Sequence, residues 1–449
     1  MNNVITFNKS VKGASHISSG KPCQDYSISI NENGIQIVVV CDGHGGSSYC
    51  RSDIGARFAS EITVDCLKNF ANCIPETTFI GKTFSITAQP KRNPFIDADG
   101  NKLRYEELDE TQQQYAKQAR SYIESENKYP EQQTIVKDLI NQIYQTWIKT
   151  INKDQHDHPF NKKERSLLNN LDVTKAYGCT LLAFLKTQNY WLAFQIGDGS
   201  IYWCDKKLSW RKPVPDDCAC FLNYTTSLCD ADPLIEFRYA FSGENDIPIA
   251  VMLCSDGVDG SLRTEENIQD FYEQIIGLYI DGDNIEEELQ SYLPQLSESG
   301  NRDDISIAGI IDFSTPESLD IKKTMDLKKK SRDIKNKYRT KKSEIESISN
   351  KIESLQFKLS RQGDAYFMKQ TELDDLRNDV KAKEIEVEEI RQSMNSIKKE
   401  ISLLQESLKT RQTEFESWKF ITKNEMAKLE AEQMNDNKNN IKDNIITNW

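Results

Sequence analysis

Hydrophobic and polar positions alternate in two different ways along the chain. Up to about Thr315, short β-branched runs recur at Ile35–Cys41, Thr180–Leu185, Tyr190–Ile196, Pro248–Cys254 and Ile305–Ile311. Their length and residue types predict strands. Between them, Ser52–Phe70 and Gln133–Ile151 carry apolar residues three and four apart, the spacing of an amphipathic helix. No regular strand–helix–strand repeat links these segments, which predicts an α+β domain over residues 1–315 with largely antiparallel sheets. Residues 89–131 are rich in Pro, Asn, Asp and Gln. They read as a polar insertion with a short helix, a surface excursion or a lid.

Beyond residue 316 the period changes. With Ile345 at heptad position a, the a sites run Ile345, Ile352, Leu359, Tyr366, Leu373, Val380, Val387, Met394, Ile401, Leu408 and Phe415. Most d sites, among them Ile348, Leu355, Leu376, Ile390, Ile397, Leu404 and Trp418, are also apolar. A phase held this long predicts a coiled coil over 316–435. It weakens around Gln362, Gly363 and Lys369, a candidate break where the helix bends or folds back. Residues 436–449 are expected to fray.

Composition sharpens this division. The segment from Ile321 onward holds 28 basic and 23 acidic side chains, and the segment before it 29 and 47. An acidic head argues against a nucleic-acid partner and suits a carboxylate-rich cation site. No apolar stretch approaches the ~20 residues that cross a bilayer, and Met1–Ser10 lacks a basic run followed by an apolar one. Eleven scattered cysteines include no CxxC pair. Reduced thiols in a cytoplasmic protein are the expectation.

The chemistry concentrates where apolar runs stop. One ends in Asp42-Gly43-His44-Gly45-Gly46 and another in Ser255-Asp256-Gly257. Asp303-Asp304 directly precedes a third run, and Asp25 opens a fourth. Carboxylates at strand ends are rigidly held and face the sheet rim. Several together suggest an oxygen-rich site for Mg²⁺ or Mn²⁺ rather than Zn²⁺. Of the four histidines, His156 and His158 lie in a polar stretch and read as solvated, and His16 has no evident partner. His44 lies beside Asp42 and Gly43.

The ordered set Gln24-Asp25, Asp42-Gly43-His44-Gly45-Gly46, Tyr177-Gly178-Cys179-Thr180, Gly197-Asp198-Gly199-Ser200, Ser255-Asp256-Gly257 and Gly300-Asn301-Arg302-Asp303-Asp304 resembles the type 2C metal-dependent serine/threonine phosphatases, particularly their bacterial branch. The resemblance covers about 300 residues. It implies a four-layer β-sandwich flanked by helices, with a two-metal site at one end and a phosphoprotein substrate. Asp42 would bridge the two Mn²⁺ or Mg²⁺ ions, the Gly43 carbonyl and Asp25 would serve one, and Asp256 and Asp303 the other. A water shared by both would attack phosphorus, His44 would be the general acid, and Asp198 would support the site.

Three departures qualify that expectation. Gly20 stands where the family commonly has a phosphate-gripping arginine; Lys21 beside it is the candidate phosphate-binding residue, without arginine's bidentate fork. Gln24 replaces a common glutamate. At the positions of a third, weaker metal stand Lys175 and Gly260, with the nearest acid, Asp259, one residue early. A doubtful third site follows. The alternative reading is a catalytically weak, phosphatase-like scaffold that works through its coiled coil, whose expected partner is a second copy or another protein.

Overall fold

The structure, a computed structural model, describes residues 4–89, 104–217, 220, 225–244, 247–314, 318–361 and 366–446. It divides into two units, Met1–Ile321 and Lys322–Trp449. Among the described residues, the first contains eleven strands: β1 (Val4–Val11), β2 (Tyr26–Glu32), β3 (Ile35–Cys41), β4 (Thr83–Ile86), β5 (Leu181–Lys186), β6 (Trp191–Ile196), β7 (Ser200–Cys204), β8 (Trp210–Arg211), β9 (Arg238–Ser242), β10 (Ala250–Cys254) and β11 (Ile305–Asp312). They form two antiparallel sheets, ordered β1-β11-β10-β7-β8 and β2-β3-β5-β6-β9-β4.

Side-chain alternation explains why the central strands are continuously apolar. In β3, Val38 and Val40 point into the space between the sheets, while Ile37, Val39 and Cys41 point to the opposite face. In β5, Leu182 and Phe184 take the inner face and Leu181, Ala183 and Leu185 the outer. Both faces are covered, so neither set can be polar. The outer face of the six-stranded sheet is roofed by α2 (Ser52–Cys73) and α4 (Pro130–Asp157), which bury Ala56, Ala59, Leu67, Ile140, Ile143 and Trp147 against it. The five-stranded sheet carries α7 (Asp256–Leu262), α8 (Glu265–Asp281) and α9 (Ile285–Ser299). This is the helix-flanked β-sandwich that the resemblance implies.

One buried ion pair joins the two sheets. Lys186 Nζ, at the end of β5, donates to Asp312 Oδ2 of β11 at 2.6 Å and approaches Gln36 Oε1 of β3 at 3.4 Å. Burial pushes the Asp312 carboxyl up, but the Lys186 charge, together with hydrogen bonds from Lys186 and Ser314, holds the group below the usual carboxylate range.

The first unit also holds the shorter helices α1 (Ala14–Ser19), α5 (Lys162–Leu168) and α6 (Val173–Ala176). In the polar insertion, residues 90–103 lie outside the described part. The rest holds α3 (Glu110–Glu126), capped by Asp109, with Ala116, Ala119 and Tyr122 buried. The insertion's helix is therefore longer and better packed than its polar composition suggests, because a few small residues and one tyrosine suffice to seat it.

The second unit holds most of α10 (Ser318–Arg361) and all of α11 (Tyr366–Ile446). Lys341 Nζ meets Glu386 at 2.7 Å and Lys383 Nζ meets Glu344 at 2.8 Å. Those pairings fix an antiparallel register. Leu355 and Leu373 are buried along it, and Ile345, Ile348, Ile352, Val380, Val387, Ile390 and Met394 are half-buried. The expected break at Gln362-Gly363 lies outside the described residues, and α11 continues past Asn435, where fraying was expected, to Ile446. No described helix is long and apolar enough to cross a membrane.

Candidate active site

Antiparallel pairing brings the motif residues to one end of the sandwich. Cys41, the last residue of β3, pairs with Tyr26, the first of β2, so Asp42 and Asp25 emerge side by side. Cys254, the last residue of β10, pairs with Ser200 of β7 and Ile307 of β11, so Asp256, the Gly197-Asp198-Gly199 turn and Asp303 leave the other sheet at that same end.

Asp42 is fixed through its backbone: its N–H donates to Thr180 Oγ1 at 3.0 Å, and Thr180 N donates to Asp42 O at 2.8 Å. Gly43 N donates to Gln24 O at 3.1 Å, and His44 N to Gly178 O at 3.2 Å. The His44 carbonyl accepts from Gln24 Nε2 and Ser52 Oγ, both at 2.9 Å. Gln24, in place of the common glutamate, thus ties the His44 loop to the strand that carries Asp25.

The carboxylates crowd one another. Burial and the negative charges of Asp304, Asp256 and Asp303 raise the Asp25 carboxyl well above its ordinary value, against a hydrogen bond from Ser255. Asp42 is raised by burial, then by Asp25 and Asp256, with which it shares a hydrogen bond, and Asp303. Asp256 is raised to about 6 by burial and Asp198. Asp25 Oδ2 is buried without a hydrogen-bond partner. Among the described residues, none of Asp25, Asp42, Asp256 and Asp303 forms an ion pair with a basic side chain. The four do not form a closed, preassembled ligand cage. Their mutual repulsion and the orphaned oxygen nevertheless fit a divalent cation, which relieves both. Asp25, Asp42, Asp256 and Asp303 could hold it, with the Gly43 carbonyl beside them.

Other predicted residues have specific placements. Lys21 is exposed and its Nζ donates to Gly45 O at 2.7 Å. Asp259 does not turn toward the cluster's open side: its Oδ2 accepts from Ser200 Oγ at 2.5 Å and its Oδ1 from Cys254 Sγ at 3.5 Å. His156 and His158 are exposed, as their polar setting suggests. His16 does have a partner, contrary to expectation. Its Nδ1 lies 2.8 Å from Asp304 Oδ2, and Asp304 also accepts from Gly13 N and Gln24 N, each at 2.6 Å. The two residues are 288 positions apart, beyond any local pattern.

Sequence reasoning missed Tyr49. Its ring meets the His44 imidazole edge to face, centroids 4.7 Å apart, and Lys175 Nζ lies 4.8 Å from its centroid. Burial, then the Lys175 charge, pushes His44 down to about 4. Arg51, also missed, locks the neighbouring chain. Its guanidinium donates to Glu164 Oε1 at 2.9 Å, Tyr177 Oη at 2.9 Å and His158 O at 2.8 Å. That ties α4 and α5 to the residue preceding Gly178.

The sequence profile of the protein phosphatase 2C family matches residues 12–294. No curated protein matches the chain. Among solved structures, similarity is found to PppA, described as a key regulatory component of T6SS in Pseudomonas aeruginosa, at 16% identity and a TM-score of 0.37, covering 69% of this chain and 98% of that one. The catalytic domain of the serine threonine protein phosphatase PstP in complex with two manganese ions is 12% identical, with a TM-score of 0.36, over 69% and 97% of the chains. RsbX in complex with magnesium is 10% identical, with a TM-score of 0.32, over 69% and 95%. Because the family profile spans well over half of the chain and its motif carboxylates gather at one end of a two-sheet sandwich, this protein belongs to the protein phosphatase 2C family.

Proposed function

We propose that the protein hydrolyses phosphoserine and phosphothreonine in proteins, in the cytoplasm, with two Mn²⁺ or Mg²⁺ ions held by Asp25, Asp42, Gly43, Asp256 and Asp303. The observation that carries this reading is the convergence of those four carboxylates, from both sheets, with no basic partner among the described residues. When bound, the ions supply an activated water and neutralise charge on the phosphoryl group. The chain's own groups do the rest. Asp42, which interacts with both Asp25 and Asp256, would be the carboxylate available to both ions. Gln24 and Ser52 hold the His44 backbone, which places the imidazole at the rim to protonate the departing serine or threonine oxygen. Its resting form is neutral, and an arriving phosphate dianion favours the protonated form that this role requires.

The tail pairs with itself as an antiparallel coiled coil, and the end of α11 beyond that pairing takes a second copy of the chain. The ten free cysteines among the described residues suit a reducing compartment.

Hydrolysis of an aryl phosphate by the purified full-length protein tests the reading. Activity is expected with Mn²⁺ or Mg²⁺ and its loss with chelator; full activity after exhaustive chelation overturns the metal mechanism. The substitution of Gly20 for the common arginine favours a catalytically weak scaffold, and the absence of turnover with bound metal would establish that second reading.

A further inference from the structure

We propose that Lys175, laid across the Tyr49 ring beside His44, is the cation that receives the phosphoryl oxygens of the substrate. The inference rests on the phosphatase reading and adds to it the residue that grips the phosphate, in place of Lys21.

The setting of Lys175 is built rather than incidental. Tyr49 follows a tight turn in which its N–H donates to Gly46 O at 3.0 Å. Its ring fills a slot between two glycines. A Cβ on Gly46 would come within 3.0 Å of one ring edge, and a Cβ on Gly178 within 2.8 Å of the other. Side chains at either position would push the ring out. The ring so held presents its edge or face to His44 and its π-face to the Lys175 ammonium, at 4.8 Å. The peptide chain closes the same circuit, because His44 N donates to Gly178 O and Gly178 N to Lys175 O. Lys175 and His44 are therefore held against one tyrosine by a common backbone.

The other nearby cations are committed elsewhere. Lys21 gives its ammonium to the Gly45 carbonyl. Arg302 reaches Glu298 at 2.6 Å. Arg51 is buried among Glu164, Asp154 and Tyr177. Lys175 forms no ion pair among the described residues. A ring face attracts an ammonium, enough to orient it without neutralising it. Burial alone would lower its pKa, but the Tyr49 hydrogen bond and the nearby Asp230 carboxylate more than offset this, so the group stays charged. A site dominated by carboxylates repels a phosphate dianion. A fixed positive charge on the His44 side gives the dianion a place to dock where its leaving oxygen faces the imidazole.

Calorimetric titration of inorganic phosphate into the full-length, Mn²⁺-loaded protein tests this. Lys175→Ala and Lys175→Gln should each weaken phosphate binding about tenfold or more, the loss of a charge-assisted hydrogen bond. Lys175→Arg should restore most of it, Tyr49→Ala should behave like Lys175→Ala, and Lys21→Ala should change it by less than about twofold. The KM for an aryl phosphate should follow the phosphate affinity, with the melting temperature of the Lys175 variants unchanged. Parent-like phosphate affinity in Lys175→Gln, in a protein that hydrolyses aryl phosphate, overturns the role of Lys175 and leaves the phosphatase reading intact. A parent protein that neither binds phosphate nor turns over with Mn²⁺ overturns both.

Discussion

At the scale of single residues, the candidate site separates groups by the work each can do. Asp42 interacts with both Asp25 and Asp256, so Asp42→Asn should abolish measurable hydrolysis. His44→Ala should cost about 10²–10⁴-fold on a phosphopeptide, the usual worth of a general acid. On an aryl phosphate, whose leaving group needs little protonation, the defect should shrink. The direction of the His44 shift adds a pH test. Burial and Lys175 lower its pKa to about 4, so the protonated fraction grows as pH falls. The ratio of parent to His44→Ala activity on phosphopeptide should therefore be larger at pH 6 than at pH 8. An unchanged ratio removes His44 as the acid. Asp259 makes a contrasting case. Ser200 and Cys254 already engage both of its oxygens, so Mn²⁺ titration should resolve two sites, and Asp259→Asn should leave both affinities within about twofold; a third site lost in that variant contradicts this assignment.

At the scale of elements, burial on both faces decided what could be read from sequence. β3 was legible residue for residue because both its faces are apolar, one toward α2 and α4 and one toward the other sheet. β1 was not: it is an edge strand with the half-buried polar residues Asn8, Lys9 and Ser10, and its pattern resembles a loop. β9 hid behind Arg238, a fully buried arginine near Asp217 whose Nη1 donates to Pro215 O. The motif aspartates were found because strand ends and glycines mark them. Tyr49 and Arg51 were not, since their meaning lies in Gly178, Glu164 and Tyr177, more than a hundred positions away. The inter-sheet pair tests the packing directly. Lys186→Ala leaves Asp312 buried and uncompensated, which should cost about 3–5 kcal/mol in chemical denaturation. Lys186→Met with Asp312→Leu should recover much of that loss. Because Asp312 is held below its ordinary value, its contribution is present at neutral pH and lost only as pH falls through that lowered value. The difference between parent and Lys186→Ala should narrow in acid. A loss under about 1 kcal/mol at pH 7 would mean that water reaches the pair.

At the scale of the whole molecule, the two units differ in how they are stabilised. The first encloses its own apolar core between and outside two sheets, so a chain ending at Ser314 should stay folded and retain aryl phosphate hydrolysis. The second has no such interior, and its stability depends on what its apolar stripe meets. Within the second unit, the Lys341–Glu386 and Glu344–Lys383 pairs place Lys322 opposite Gln405, so α11 beyond Gln405 has no counterpart in that unit. At 1.5 Å per residue that overhang is about 60 Å long. It carries Phe415, Trp418, Phe420 and Ile421, each more than half exposed, and the first two continue the heptad stripe of the paired region. Large apolar groups on one exposed helix favour association, and an identical overhang on a second copy offers a stripe of the same length and spacing. Sedimentation of the full-length protein should therefore show a concentration-dependent dimer. Phe415→Glu with Trp418→Glu should return it to monomer without loss of helix content, since both positions are exposed in the single chain. A parent protein that stays monomeric at high concentration shows that the hairpin alone satisfies the tail and that the overhang awaits a different protein.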